Sequence, residues 1–344
     1  MVNNMETKLI NAVSPHALEE AGQILQQGGL VAIPTETVYG LAADARNGTA
    51  VVKIFQAKGR PPDNPLIVHI GERSQLNSLV REIPEQASLL MDHFWPGPLT
   101  MILPKSAQIP NEVSAGLDTV AIRFPKHPVA QAVIQAAGTP LAAPSANTSG
   151  QPSPTTAQHV LEDLSGKIDA VLDGGACQVG IESTVIDMTV YPPKLLRPGA
   201  VTWEQLQQVL GTVEIDPAVC HPLAKGKAAS SPGMKYKHYA PQARLILLDG
   251  SYEQYCDYIH AHAAPHVAAL CYQGEGQRLP VEAVTYGTAQ DEWGQARELF
   301  DALRKLDERK FSLVYARCPK QEGVGLALYN RLIRAAGFEV ISLD

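Results

Sequence analysis

The chain has 344 residues with 28 Lys plus Arg against 35 Asp plus Glu; the net charge of −7 disfavours a protein that coats nucleic acid, which needs a broad positive surface. Its length suits two domains at roughly 100–200 residues each, and 45% hydrophobic with 18% charged residues argues against disorder. No apolar run approaches a membrane span of about 18 residues, and the polar N-terminus lacks the basic-then-apolar order of a secretory signal, so a cytoplasmic protein is expected.

Ser14-Pro15 reads as the start of a helix reaching about residue 27, with Ser14 as N-cap and Pro15 in the first helical position. Buried strands are expected at 30–33, 66–70, 99–103, 120–124, 170–172, 184–186 and 195–196. Helices are expected at 50–57, 85–94, 129–137, 156–164 and 203–210. Such alternation predicts an α/β or α+β sheet covered by helices, over residues 1–210. Residues 211–241 carry four prolines and little periodicity, and read as an interdomain linker. Residues 242–344 resume the alternation. Strands at 244–248, 267–272, 311–315 and 338–342, separated by helices at 252–262, 293–306 and 325–336, predict a small parallel α/β domain.

The charge is unevenly spread. Residues 217–248 contain no acid but hold Lys225, Lys227, Lys235, Lys237 and Arg244, and residues 119–161 are likewise acid-free around Arg123 and Lys126. Surfaces shaped around an anion and loops poor in glutamate by chance account for this about equally well. The five cysteines contain no C-x-x-C pair, so no disulfide framework or paired-cysteine zinc site is expected. P-loop, G-x-G-x-x-G, H-E-x-x-H and G-x-S-x-G signatures are absent too.

Four stretches have the chemistry of an anion site. Residues 34–40 (PTETVYG) place hydroxyls just past a strand, where ligand-binding groups often sit, although from this stretch alone a threonine capping a helix is the simpler reading. Residues 58–65 (KGRPPDNP) put Lys58 and Arg60 around a glycine at a helix end, as a phosphate clamp or as cations that suit the helix dipole. Strand alternation sets His69 opposite Val68 and Ile70, and Arg123 beside Ala121 and Thr119. Residues 143–150 (APSANTSG) supply hydroxyls, an amide and a glycine, as an anion nest or an ordinary polar turn.

In this order and spacing, residues 34–40, 58–65, Ser145-Ala146-Asn147 and Arg197-Pro198-Gly199 resemble the YrdC-like family. Residues 231–241 (SPGMKYKHYAP) and the second α/β unit resemble its long, two-domain form. The resemblance implies a twisted mixed-sheet catalytic domain followed by a smaller Rossmann-like C-terminal domain. It implies a nucleotidyltransferase that converts L-threonine, bicarbonate and ATP to threonylcarbamoyl-adenylate and pyrophosphate. A separate transferase would then carry the product to N6-threonylcarbamoyladenosine at position 37 of tRNA.

By the same resemblance, Thr37, His69, Arg123 and Ser183 would hold threonine. Lys58, Arg60, Asn64, Thr119, Ser145, Asn147, Ser153 and Arg197 would surround ATP, with Lys58 and Arg60 nearest the phosphates as the catalytic pair. Tyr236, His238 and Tyr239 would close over the nucleotide. Mg²⁺ would arrive as the counter-ion of ATP, held by phosphates and water without protein ligands. The main rival is an RNA-binding module without turnover, and direct tRNA contact stays open. The carbamoyltransferase branch of the family, with its paired-cysteine zinc fingers, fits less well.

Overall fold

The structure, a computed structural model, describes residues 6–222 and 239–343. Among these residues, eleven strands form one mixed sheet and five a separate parallel sheet. The first comprises β1 (Lys8–Asn11), β2 (Val31–Ile33), β3 (Gly40–Asp44), β4 (Ile67–His69), β5 (Leu99–Pro104) and β6 (Thr119–Arg123). It continues with β7 (Leu141–Ala142), β8 (Ala170–Asp173), β9 (Thr184–Asp187), β10 (Lys194–Arg197) and β11 (Glu214–Ile215). The spatial order is β1-β8-β2-β3-β7-β4-β6-β5-β9-β10-β11.

Period-2 alternation decides what faces the site. In β6, Val120 and Ile122 enter the main core, while Ala121 joins a smaller cluster with Ile67, Ile102, Val185 and Leu196. Arg123, two residues beyond Ala121, shares that second face. The same parity sets His69 with Ile67 and opposite Val68, and register pairs His69 with Arg123. The sequence reading of both strands therefore holds.

Three expectations are corrected. The first helix spans Ala17–Gln26 and is not capped by Ser14; His16 precedes it in a left-handed conformation (φ 62°) without a side-chain cap. The Ser14 amide donates to Asn11 O at 2.9 Å and the Ala17 amide to Ser14 O at 3.2 Å, so Ser14-Pro15 is spent on a tight turn leaving β1. Residues 34–39 lead into no helix, which removes the capping reading; they return as β3, antiparallel to β2. Alanine-rich β3 has weak strand propensity and is held by its place between β2 and β7. A side chain at Gly40 would press to 3.2 Å from the Ala143 Cβ, so the loop at 143 can approach closely. Thirdly, the main sheet continues past residue 210: β11 pairs parallel with β10, Val213 enters the main core, and Ala218 packs in the smaller cluster. The expected linker thus loses its first part, and residues 223–238 lie outside the described residues.

The second sheet comprises β12 (Arg244–Asp249), β13 (Val267–Cys271), β14 (Glu282–Thr285), β15 (Leu313–Arg317) and β16 (Val340–Ser342), in the order β14-β13-β15-β12-β16. All its pairings are parallel, as the sequence suggested; β14 was not foreseen. Its core takes in Val38 and Ile181 from the first unit. The helix Gly323–Ala335 forms much of the junction and is buried from Val324 onward. Its Asn330 Nδ2 donates to Val219 O at 2.7 Å, and Arg334 Nη2 to Ala218 O at 2.6 Å.

At Gly180 the two units touch backbone to backbone. Its φ is +84°, and an added Cβ would lie 2.4 Å from Ala296 O. Gly180→Ala therefore combines backbone strain with a clash that only separation of the units relieves, and should cost about 1–3 kcal/mol. Gly116→Ala shares a positive φ (+79°) with nothing within 4 Å, and should cost less. Urea unfolding of the two variants checks the difference.

Candidate active site

A cleft opens on the face that carries His69 and Arg123. Loops 34–38 and 143–151, the end of the helix Gly48–Lys58, and the ends of β4, β6 and β10 wall it. Lys58, Arg60, Arg123 and Arg197 line it, against the single lining carboxylate of Glu182. This cationic bias suits a polyanionic ligand.

Lys58 is the last residue of its helix, and Gly59 ends that helix in a left-handed conformation (φ 61°). The ammonium is 2% exposed and donates to Asn147 O at 2.6 Å and to Ser145 O. Among the described residues no carboxylate lies within ion-pair distance of it. Burial and the nearby Arg60 charge hold its pKa well below the usual lysine range. An incoming phosphate would reverse that cost. Arg60 Nη2 donates to Asn64 O and Pro65 O at 3.0 and 3.1 Å, which folds the proline loop around the guanidinium.

Arg123 meets Thr37 and a carboxylate that the sequence reading did not single out. Its Nη1 donates to Thr37 Oγ1 at 2.8 Å, and its Nη2 lies 2.6 Å from Glu36 Oε1. The contact with Glu36 is close but poorly aligned as a hydrogen bond, so both oxygens of that buried carboxylate keep accepting capacity. Burial pushes the Glu36 carboxyl up, and the adjacent Arg123 charge leads the effects that offset it, holding the group below its usual range. Thr35 Oγ1 sits 2.9 Å from Thr37 Oγ1 and fixes the turn. His69 is driven down to about 3, by burial first and then by the Arg123 charge, and stays neutral.

Across the cleft, Ser183 Oγ lies 2.8 Å from Thr100 Oγ1 and accepts from Arg197 Nη2 at 3.1 Å. Leu195 belongs to the main core, and simple alternation would send Arg197 there as well. A bulge between Leu195 and Arg197 instead sets Arg197 opposite Val185, on the cleft side. Burial lowers Arg197 to about 10, which leaves it charged at neutral pH. Glu182 accepts from Ser153 Oγ and, at 2.8 Å, from Arg331 Nε of the second unit. Burial raises the Glu182 carboxyl, and the charges of Arg331 and Arg197 bring it below its usual range.

The structure thus brings Thr37, Lys58, Arg60, His69, Arg123, Ser145, Asn147, Ser183, Arg197 and Tyr239 to one cleft. Tyr239 is 5% exposed and lies 5.2 Å from the Phe300 ring centroid. Three expected residues stand behind the lining: Asn64 is buried in the Arg60 loop, Ser153 is engaged by Glu182, and Thr119 sits at the far end of β6, paired with Pro104. Tyr236 and His238 lie outside the described residues. Sequence reasoning missed Thr35 and Glu36, although both fall in the hydroxyl-rich stretch, and Arg331, which no local pattern could assign to a site in the other unit.

The neutral His69 has a consequence for stability. Its folded pKa of about 3 lies below the ordinary 6.5, so between these values the unfolded chain binds the extra proton. Stability is therefore lost as pH falls from 6.5 towards 3, by at most about 1.4 kcal/mol per pH unit. His69→Gln should flatten this loss in urea unfolding at pH 7, 6, 5 and 4. An unchanged slope would contradict the assignment.

Residues 23–199 match the Sua5, YciO and YrdC family model, described as telomere recombination. Residues 201–337 match the model described as threonylcarbamoyl-AMP synthase, C-terminal domain. The threonylcarbamoyl-AMP synthase of Pyrococcus abyssi is 45% identical over 335 residues, covering 94% of this chain and 95% of that protein. Its Bacillus subtilis namesake is 45% identical over 339 residues and 94% of both chains. The structure of P. abyssi Sua5 complexed with L-threonine matches with a TM-score of 0.90 at 43% identity, over 98% of this chain and 100% of that one. Fold and site together define a YrdC-type catalytic unit joined to a Sua5-type C-terminal domain. The chain belongs to the family of two-domain threonylcarbamoyl-AMP synthases, enzymes that make an adenylate.

Proposed function

We propose that the protein condenses L-threonine, bicarbonate and ATP into threonylcarbamoyl-adenylate, releasing pyrophosphate as a nucleotidyltransferase. The observation that carries this reading is Lys58: a buried ammonium with carbonyl partners only, beside Arg60 and across from Arg197. Such a cation is poised for a polyphosphate. The threonine amine takes up CO₂ as a carbamate, with loss of a proton. A carbamate oxygen then attacks the α-phosphorus, and the bond to the leaving pyrophosphate breaks. This reaction asks for alignment and charge neutralisation more than for a strong base. Lys58, Arg60 and Arg197 supply the charge. Arg123 and Thr37 hold threonine, with the neutral His69 beside them.

Mg²⁺ enters with ATP as part of the substrate. No cluster of three potential ligands exists among the described residues, and Glu182 is already engaged by Arg331 and Ser153. In this reading phosphate oxygens and water hold the ion. The product passes to a separate cytoplasmic transferase acting on adenosine 37 of tRNA. No described helix is long and apolar enough to cross a membrane.

Pyrophosphate release with threonine, bicarbonate or ATP omitted in turn tests the reading, and all three should be required. Lys58→Met and Arg60→Ala should each lower release by about 100-fold with unchanged circular dichroism, since each removes charge stabilisation at the transferring phosphoryl group. Tight tRNA binding without pyrophosphate release would favour the RNA-binding role instead.

A further inference from the structure

Arg331 belongs to the second unit yet touches the wall of the cleft. It is fully buried in the helix Gly323–Ala335. Besides its bond to the Glu182 carboxylate, its Nη1 donates to Pro198 O at 2.8 Å and its Nη2 to Glu182 O at 3.3 Å. Residue 182 immediately precedes Ser183, and residue 198 immediately follows Arg197. One planar guanidinium therefore grips the backbone beside both of these cleft residues, which bond to each other at 2.9 and 3.1 Å. Asn330 Oδ1 accepts from the same Nη1 at 2.8 Å and holds the fork in plane.

We propose that Arg331 is a positioning residue for the adenylate-forming cleft: it sets the spacing of Ser183 and Arg197 and pins the Glu182 carboxylate at the cleft wall. The inference rests on the reaction proposed above. A rigid fork suits this task, because a fixed set of donors holds two backbone segments at a defined separation. The electrostatics agree. A carboxylate free to swing into the cleft would repel a triphosphate, whereas Arg331 and Ser153 hold Glu182 at the wall and Arg331 balances its charge.

The groups facing Glu182 are Arg331 and Tyr239 from the second-unit side, Arg197 from β10 and Ser153 from the loop before the helix Ala157–Leu164. With Arg331 removed, burial raises the Glu182 carboxyl against Arg197 and Ser153 alone. The group would then titrate at a higher pH than in the wild type.

The test is pyrophosphate release by the full chain from pH 5.5 to 8.5, for wild type, Arg331→Gln, Arg331→Lys and Arg331→Gln/Glu182→Gln. Arg331→Gln should lower kcat/KM for ATP by roughly 10- to 100-fold, the size expected when hydrogen bonds to a charged group are lost. It should also acquire a new acidic limb, at higher pH than any in the wild type, that the double variant abolishes. Arg331→Lys keeps the charge without the fork, so it should show the kinetic loss without the new limb. It also keeps the test decisive if the glutamine variant does not fold. Wild-type kinetics in Arg331→Lys and Arg331→Gln would overturn the proposal, as would a pH-independent loss equal in the single and double variants, which would make Arg331 a docking residue only. Absence of pyrophosphate release from wild type would instead overturn the reaction itself.

Discussion

A guanidinium withdrawn from water keeps its charge, and the surrounding protein has to answer it. Here two buried arginines are met by two buried carboxylates, Arg123 by Glu36 and Arg331 by Glu182. The rest of the cleft depends on this pairing. Because the paired charges cancel, the positive potential is left to Lys58, Arg60 and Arg197, on the walls where loops 58–65 and 143–150 and the bulged β10 meet. The pairs also fix orientation: Arg123 can hold Thr37 in place while Glu36 holds Arg123.

Much of this arrangement was legible in the sequence where local rules suffice. The alternation in β4 and β6 placed His69 and Arg123 on the side away from the main core, and the helix end at Lys58-Gly59 showed in a glycine flanked by cations. The apolar runs of the second unit were read correctly as parallel strands. Arg197 shows where such rules stop. Its direction depends on a register shift that strict period-2 counting does not contain, and counting alone would have buried it in the main core. Gly40–Asp44 failed as a strand for another reason: its small residues have weak strand preference and are chosen for the close approach of the loop at 143. The role of Arg331 was beyond any local reading, since its partner Glu182 is 149 residues away in the chain.

The boundary between the units follows the same logic. A proline-rich stretch without periodicity read as a linker from residue 211, yet β11 and the turn at Pro217–Val219 complete the edge of the main sheet. Irregular composition marked a place where the chain packs through side-chain and backbone hydrogen bonds to a neighbouring unit. Val219 O and Ala218 O, which would otherwise be orphaned acceptors, are taken by Asn330 and Arg334.

The core of the second sheet includes Val38, the residue next to Thr37, and Ile181, the residue next to Glu182. The apolar floor under one unit is thus the back wall of the other's binding cleft. The second unit could not open locally by itself, because doing so would hydrate Val38 and Ile181 and release both turns that present Thr37 and Ser183. On heating, loss of the smaller unit's structure therefore also uncovers the back of the cleft.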